Sequence, residues 1–216
     1  MTLEERVEYL EKELERVKAI NEIQNVMARY EYLHTAQLHE RIVELFARDP
    51  DVSLGVSAGV FCGPEGIERF FTKFFPFVEG DDHEGFNMVH ALTTSVIEVA
   101  ADGKTAKALW MSPGHETMKN AEGKLQASWA WAYYQCDFIK EDGQWKIWHF
   151  WLYPSIKSPY EVSWVDAPYA PPGGKVIPEE YKADKPNDRK LAAAWSATKV
   201  PTLDPVYPDP YDTWEE

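Results

Sequence analysis

The stretch NMVHALTTSVIEVAADGKTAKALW, residues 87–110, indicates the fold most clearly. Two runs rich in β-branched and apolar residues flank the turn ADGK (101–104), and an Asp-Gly pair between such runs is typical of a β-hairpin. The same arrangement returns around NAEGK (120–124) and EDGQ (141–144). The sequence therefore predicts four long strands joined as an antiparallel meander.

Helical periodicity precedes this meander. Apolar residues recur at alternating spacings of three and four near the N-terminus, at Val7, Leu10, Leu14 and Val17. This pattern predicts a helix from residue 3 to about 33, and Thr2 with Glu5 has the spacing of a capping box. A second helix is predicted at 35–47, a short strand pair at 49–63 and a short helix at 63–78. Helices followed by a meander predict an α+β fold, with the helices packed on one face of a strongly curved antiparallel sheet.

The charge of the chain restricts its partners. The formal net charge is −14, so the field of the protein repels nucleic-acid phosphates and anionic lipid surfaces. The first turn is already charged, which is unlike a signal peptide, and no apolar run approaches the roughly 20 residues of a membrane span. We expect a cytoplasmic protein that binds neither nucleic acid nor membrane.

The composition changes after Trp164. Nine of the 15 prolines fall between Pro168 and Pro210, and the segment lacks apolar periodicity. We therefore predict two parts, a globular domain at 1–164 and an acidic extension rich in proline and aromatic residues at 165–216. The extension should be extended or irregular, with a short helix at 187–197, and its aromatic residues suggest that it lies across its own domain or a neighbouring subunit.

The order of these motifs resembles the SnoaL-like branch of the nuclear transport factor 2-like superfamily. The resemblance rests on a tyrosine at the end of the first helix, on the strand-turn-strand pattern H-x6-IEV-x2-DGKTA beginning at His90, and on DGQWKI at 142–147. It covers roughly residues 5–155 and implies a cone-shaped domain whose curved sheet wraps a deep pocket. The superfamily includes dehydratases, isomerases, polyketide cyclases, lyases and non-catalytic dioxygenase subunits.

Within the superfamily, the N-terminal part is similar to bile-acid dehydratases. The resemblance implies catalytic roles for Tyr30 and His90, which match the tyrosine and histidine of that pocket. Thr35, with His34 beside it, stands where those dehydratases have a carboxylate. Those dehydratases also have an aspartate in a strand, at a position that corresponds to about residues 114–115 of this chain. Their arginine in the last strand has no counterpart here.

The residue pattern supports these catalytic candidates. Tyr30 and His34 are four residues apart in a helix and therefore project from one face. His90 alternates in its predicted strand with Leu92, Thr94 and Val96, so it shares an apolar face of the sheet. A buried histidine needs a hydrogen-bond partner or a cavity, which favours a catalytic role for His90.

Aromatic residues crowd the last two predicted strands. Alternation places His149 on one face with Trp145, Ile147, Trp151 and Tyr153, facing a row on the preceding strand. These rows form either an aromatic core or the wall of a pocket for flat rings. The pocket interpretation makes His149 a fourth catalytic candidate and predicts substrate-binding roles for Trp110, His115, Trp129, Trp131, Tyr133, Trp151 and Tyr153.

Signatures of metal and cofactor sites are missing from the sequence. The six histidines form no H-x-x-x-H motif, and Cys62 and Cys136 are far apart without C-x-x-C spacing. We therefore expect no metal and no cofactor, and acid/base catalysis remains.

Three functions stay open. The leading one is a cofactor-independent lyase that acts on an aromatic, phenolic alcohol by eliminating water or releasing formaldehyde, similar to lignin-diol formaldehyde lyases. The alternatives are a steroid or bile-acid type dehydratase or isomerase, and a non-catalytic subunit similar to the small subunit of ring-hydroxylating dioxygenases. The narrow apolar seam at 7–17 and an outer sheet face expected to carry Trp148 and Phe150 predict a homodimer or homotrimer.

Overall fold

The helices precede the long strands, as the sequence predicts. The computed structural model describes residues 1–120, 122–169, 175–189 and 193–215. Its helices are α1 (Leu3–Thr35), α2 (His39–Ile42), α3 (Gly63–Arg69) and α4 (Phe75–Glu79), with a π-helical turn at Phe70–Phe74 and 3-10 turns at Val43–Leu45 and Glu179–Tyr181. The predicted capping box is confirmed, because Thr2 Oγ1 accepts from the amide of Glu5 and the Glu5 carboxylate accepts from the amide of Thr2.

The second helix is much shorter than predicted. The first helix continues through Thr35, and Gln37 then adopts a left-handed conformation with φ of 59°, which turns the chain. Further along, Phe46 pairs with Ile147 in a short parallel bridge and is therefore extended. These two constraints leave only one helical turn and a 3-10 turn between them.

The sheet has seven strands, β1 (Ser53–Val56), β2 (Gly59–Cys62), β3 (Asn87–His90), β4 (Thr93–Val99), β5 (Thr105–Lys119), β6 (Leu125–Glu141) and β7 (Gln144–Pro159). Their order is β2-β1-β7-β6-β5-β3, with β4 also paired to β5. The predicted meander is present, but its first strand is broken into β3 and β4. The sheet is also mixed, not purely antiparallel, because β1 runs parallel to β7.

A bulge in β7 reverses which side chains face the helices. Asp137 pairs with His149, whereas the next residue of β6, Phe138, pairs with Ile147, so β7 has one extra residue here. A bulge of this kind shifts the alternation of the strand. Phe150 consequently faces inward and lies 5.2 Å from the Tyr30 ring, whereas His149 points to the outer face and contacts Asp137.

The main core lies between α1, the short helices and the inner face of the sheet. The buried stripe of α1 consists of Ala19, Ile23, Val26, Met27, Tyr30 and His34. These residues pack with the phenylalanines of the π-helical turn and with inward residues of β5, β6 and β7, such as Trp110, Cys136 and Ile147. The end of α1 is therefore held directly over the curved sheet.

The described parts of the C-terminal extension contact the short helices, where the Tyr181 ring lies 5.8 Å from that of Phe77, and also the edge and the outer face of the sheet. Lys185 pairs with Val60 at the edge strand β2. The Arg189 guanidinium lies 3.7 Å from the centre of the Trp151 ring, and the Trp214 ring lies 4.7 Å from that of Trp148. The chain itself thus covers Trp148, while Phe150 is in the core, so the expectation that these two residues form an exposed outer surface is wrong.

One predicted element of the extension falls on an undescribed segment. The helix expected at 187–197 includes residues 190–192, which lie outside the described residues. The flanking segments 187–189 and 193–197 are not helical.

Among the described residues, no helix combines the length and the apolar character that crossing a membrane requires. α1 has 33 residues but carries charged side chains along its whole length.

The close approach of β1 to β7 yields a prediction about stability. Gly55 pairs with Trp151, and a Cβ at Gly55 would lie 2.2 Å from a carbon of the Trp151 ring. We expect Gly55→Ala to lower the free energy of unfolding by about 1–3 kcal/mol, because the ring must leave its packed position. Urea unfolding measures this. Ser53→Ala, in the same strand, is the control, and equal stability of the two variants would contradict the contact.

Candidate active site

The position of His90 depends on a glycine in the neighbouring strand. His90 ends β3 and pairs with Gly114 of β5. A Cβ at Gly114 would lie 2.7 Å from Cδ2 of His90 and 2.5 Å from the carbonyl oxygen of Ala130. Only a glycine therefore lets the His90 ring lie across β5. In that position its Nε2 is 3.0 Å from Oε1 of Glu116.

Glu116 is a buried carboxylate with two partners. Its side chain is 7% exposed, His90 contacts Oε1, and the Lys157 ammonium contacts Oε2. Burial favours the protonated form, but the hydrogen bond with His90 and the charge of Lys157 outweigh it and lower the pKa of Glu116 to about 2. An ionised carboxylate only accepts, so His90 Nε2 carries a proton and donates it. The other ring nitrogen of a neutral His90, Nδ1, is then the basic one.

The end of α1 brings Tyr30 and His34 to the same place. Their rings stack at 5.8 Å, and the His34 ring lies 5.4 Å from that of His90. Burial, followed by the neighbouring His90 and His39, holds the pKa of His34 well below its usual value, and burial raises the pKa of Tyr30. Both side chains are therefore neutral near pH 7.

A second histidine and carboxylate lie on the helical side. His39 Nδ1 is 3.6 Å from Oε2 of Glu79, and the His39 ring is 5.4 Å from that of His34. Burial raises the pKa of Glu79 to about 8, and burial together with His83 lowers the pKa of His39 to about 4. Glu79 thus keeps its proton at neutral pH, in contrast to Glu116.

A third carboxyl group lies beside Tyr30. Burial raises the pKa of Glu31 to about 8. The Tyr134 hydroxyl is close enough to oppose this shift, although within the described residues neither Glu31 oxygen has a partner at hydrogen-bond geometry. Glu31 is therefore a second protonated acid in the interior.

These residues form one polar cluster, by which we mean Tyr30, Glu31, His34, His39, Glu79, His90 and Glu116. Over the described residues, ten buried side-chain atoms lack a hydrogen-bond partner, and eight of them belong to the cluster or to its neighbours Gln37 and Ser112. They include Nδ1 of His34, Nε2 of His39 and Nδ1 of His90. Buried polar groups are nearly always paired, so such a concentration marks a place where polar ligand groups or water bind.

The histidines and carboxyl groups do not form a metal site. In the described ranges, no group of three or more His, Cys, Asp or Glu side chains is arranged to hold a metal ion. The two cysteines are unpaired: Cys62 ends β2, and Cys136 lies in the same core as Tyr30.

The structure brings together three of the four catalytic candidates. Tyr30, His34 and His90 share the interior of the cone, whereas His149 lies on the outer face, where it contacts Asp137 and the Trp214 ring. The expectation that His149 faces the pocket is wrong, because the bulge in β7 reverses its direction.

Most of the predicted substrate-binding residues are on the outer face as well. Trp110 packs inward on Phe138. The other candidates face away from the cluster: His115 is exposed, and Trp151 and Tyr153 pack with Val60 and Tyr133 in a separate outer group. Trp129 and Trp131 lie against Trp164. The aromatic residues near the cluster are instead Tyr30, Phe71, Phe75, Tyr134 and Phe150.

Sequence reasoning missed five polar residues of the site. Glu116 had a readable signal, because it alternates with Gly114 on the inward face of β5, near the strand position at which bile-acid dehydratases have an aspartate. Lys157 also had a signal, because the second register shift near Ala132 offsets the first and Lys157 therefore faces the same side as Trp145 and Ile147, as simple alternation indicates. Glu31, His39 and Glu79 lie in helical segments where acidic and basic residues usually face solvent, so no local pattern distinguished them.

Comparisons with known proteins bear on this fold. Residues 15–150 match the SnoaL-like domain family. No functionally curated protein matches the sequence.

Several solved structures have the same fold. A type 2 hexachlorocyclohexane dehydrochlorinase (LinA) has 18% identity, covering 74% of this chain and 99% of its own, with a TM-score of 0.56. A type 3 enzyme of the same name from Novosphingobium barchaimii has the same identity, coverage and TM-score. A Novosphingobium aromaticivorans protein named after scytalone dehydratase has 16% identity, covering 75% of this chain and 97% of its own, with a TM-score of 0.55. At these identities the likeness shows the shared fold.

The raised pKa of Glu79 predicts a pH dependence of stability. The native state holds this proton more tightly than the unfolded chain, whose carboxyl has a pKa near 4.5. The stabilisation is therefore complete below pH 4.5 and is lost as pH rises towards 8. Between pH 6.5 and 8.5, we expect the free energy of unfolding to fall by about 1–2 kcal/mol more in the wild type than in Glu79→Gln.

Urea unfolding at a series of pH values measures this difference. Glu122→Gln, which removes an exposed carboxylate from the β5–β6 turn, is the control and should follow the wild type. If Glu79→Gln and the wild type lose stability in parallel, Glu79 is ionised throughout this range.

Proposed function

This chain belongs to the SnoaL-like domain family, and on that basis we propose that it is a cofactor-independent lyase for a phenolic aromatic alcohol. The observation that supports this most strongly is the set of unpaired buried nitrogens and oxygens between an ionised and two protonated carboxyl groups. Structures of the same fold carry the names of eliminating enzymes, a dehydrochlorinase and a dehydratase. Elimination needs a base and an acid in one enclosed site.

His90 is the proposed base. Its Nε2–H donates a hydrogen bond to Glu116. The unpaired Nδ1 can therefore accept a proton from the substrate. The positive charge of Lys157 keeps the Glu116 carboxylate ionised. This carboxylate stabilises the imidazolium that forms when His90 accepts a proton. A base positioned in this way contributes roughly 10²–10⁴ in rate.

Glu79 and Glu31 are the candidate acids. Both hold a proton at neutral pH, and opposite shifts of pKa within one site are the usual sign of divided acid and base roles. Glu79 lies beside His39 on the helical side, across His34 from His90. It is the better placed to protonate a departing hydroxyl group. Tyr30, neutral and buried, holds the phenolic oxygen of the substrate.

The reaction proceeds through a quinone methide. His90 takes the proton of the phenol, the benzylic C–O bond breaks, and the hydroxyl group leaves as water with a proton from Glu79. In the second step the ionised Glu79 takes the proton of the neighbouring hydroxymethyl group. The C–C bond then breaks and formaldehyde departs. The electrons of that bond form the new double bond, the aromatic ring is restored as a phenolate, and the phenolate takes its proton back from His90. Loss of the adjacent C–H proton instead gives simple dehydration.

The lining of the interior supports an aromatic substrate. The rings of Phe71, Phe150 and Tyr134 surround Tyr30, and Phe75 lies 5.2 Å from His34 and 4.8 Å from His39. Flat apolar walls with a few polar groups are typical of sites for aromatic ligands. A rigid steroid is the alternative substrate class for the same acid/base groups.

Turnover of defined substrates tests this function. The purified protein, without added cofactor, is incubated with a phenolic 1,2-diaryl-1,3-propanediol, with its phenol methyl ether and with a hydroxy-steroid thioester. We expect a diarylethene and formaldehyde, or the dehydrated alcohol, from the free phenol only, because the ether cannot form a quinone methide. Equal turnover of the ether, or turnover of the steroid alone, would overturn the proposed chemistry.

The second candidate is a non-catalytic subunit, similar to that of ring-hydroxylating dioxygenases. Dense packing favours the subunit, since the side chains of Tyr30 and His34 are only 5% and 4% exposed. Two surface concavities formed by described residues lie away from the cluster, one on α1 and one beside Trp214. A subunit used only for assembly gains nothing from the concentration of unpaired buried polar atoms, however, and this favours the enzyme. Absence of turnover with all three compounds would support the subunit.

Removal of the proposed base has a large expected effect. We expect His90→Ala to lower kcat by at least about 10²-fold with the fold retained, because Glu116 keeps its ion pair with Lys157. His115→Ala, which truncates an exposed histidine of the adjacent strand, is the control. Near-full turnover by His90→Ala in steady-state assays would assign the base elsewhere.

The Tyr30 hydroxyl is tested without disturbing the core. Tyr30→Phe keeps the ring contacts with His34 and Phe150, so we expect wild-type thermal stability and at least a roughly tenfold loss of kcat/KM. Tyr32→Phe removes a hydroxyl from the same helix at a position 79% exposed and should leave both unchanged. If Tyr30→Phe matches Tyr32→Phe in activity, the hydroxyl has no part in the reaction.

A further inference from the structure

The first half of α1 has an apolar stripe that its own domain leaves uncovered. The stripe, here called the seam, consists of Leu3, Val7, Leu10, Leu14 and Val17. These residues are 46–78% exposed, although burial of large apolar side chains is strongly favourable. Their alternating spacing of four and three is that of the d and a positions of a coiled coil.

The seam faces away from the rest of the protein. Successive residues of an α-helix turn by about 100°, so Val17 and the buried Ala19 lie about 200° apart around α1. The domain contacts α1 from that other side, for example through the ion pair of Arg16 with Glu98 at 3.5 Å. A partner helix can therefore approach the seam without meeting the domain.

We propose that the seam binds the seam of a second copy of this chain, as a parallel two-stranded coiled coil. In the first part of the seam, Val7 at an a position and leucines at the d positions 3 and 10 favour two strands, whereas Leu14 at a and Val17 at d reverse this pattern. Asn21, exposed at the next a position, ends the apolar part of the seam and also favours a dimer. A shallow groove along the start of the seam is lined by Leu3, Val7 and Glu11, among others.

Charge favours the parallel orientation. In parallel helices, the g residue of one chain faces the following e residue of the other. Arg6 then faces Glu11, and Glu13 faces Lys18, so all four symmetry-related pairs are attractive. Antiparallel pairing around Leu10 places Glu11 opposite Glu11, which is repulsive. This arrangement is independent of the proposed function, since the polar cluster lies at the other end of α1.

The mass of the full-length protein across a concentration series tests the seam. We expect sedimentation to show a dimer, and Leu10→Lys to raise the dissociation constant by at least about tenfold, because a charge enters the seam. Tyr9→Lys is the matched control, since it makes the same charge change at the adjacent position, which is 56% exposed and off the seam. Both variants should keep the wild-type melting profile of the domain.

Charge exchange tests the orientation. Arg6→Glu and Glu11→Arg should each weaken the dimer, and the double variant should restore it, because the exchanged pair is again attractive in parallel helices. In the antiparallel pairing described above, the double variant stays weak, because position 11 faces its own copy and again meets a like charge. We also expect Glu11→Gln to raise the dissociation constant by about three- to fivefold.

The contrary outcomes are distinct. A monomer at tens of micromolar, or a Leu10→Lys variant that associates as tightly as Tyr9→Lys, would overturn the seam as a site for a second copy. A mass of three chains would overturn the two-stranded assignment. Failure of the double variant to restore association, or a tighter dimer with Glu11→Gln, would overturn the parallel orientation.

Discussion

The buried carboxylate of Glu116 is the constraint on which the site depends. A charge inside a protein is tolerated only when it is paired, and Glu116 is paired on both sides, by His90 and by Lys157. These three residues come from β3, β5 and β7, so the contact fixes the relative positions of three strands of the curved sheet. It also fixes the ring orientation of His90, and Gly114 provides the space in which that ring lies.

The helical side of the cone has the opposite electrostatic character. No lysine or arginine among the described residues lowers the pKa of Glu79 or Glu31, so burial dominates and both carboxyl groups keep their protons. His34 stands between the two sides, with a neutral ring 5.4 Å from both His39 and His90. One ionised and two protonated carboxyl groups lie around the neutral rings of His34 and His39, so groups that can accept a proton and groups that can donate one occur in the same part of the fold. This separation underlies the proposed elimination chemistry.

Much of the fold was predictable from the sequence because it depends on local patterns. The capping box at Thr2, the Asp-Gly turns and the alternation of the strands each act within a few residues. Tyr30, His34 and His90 followed from helical spacing, strand alternation and family resemblance. The direction of His149 did not, because a bulge changes the face of the residues that follow it in β7, up to a second register shift near Ala132, and leaves no clear trace in the sequence. Glu79 and His39 were equally hidden, since only tertiary packing makes a helical carboxylate and histidine buried partners.

The central claim is that the interior cluster, and not the aromatic outer face, binds the substrate. Nuclear magnetic resonance of labelled histidine rings measures this directly, because the six histidines divide between the two locations and the surface. During titration with 2-methoxyphenol, a phenol that cannot eliminate water, the account predicts saturable shifts of the His34 and His90 resonances and unchanged resonances for His115 and His149. Shifts confined to His115 and His149 would contradict it.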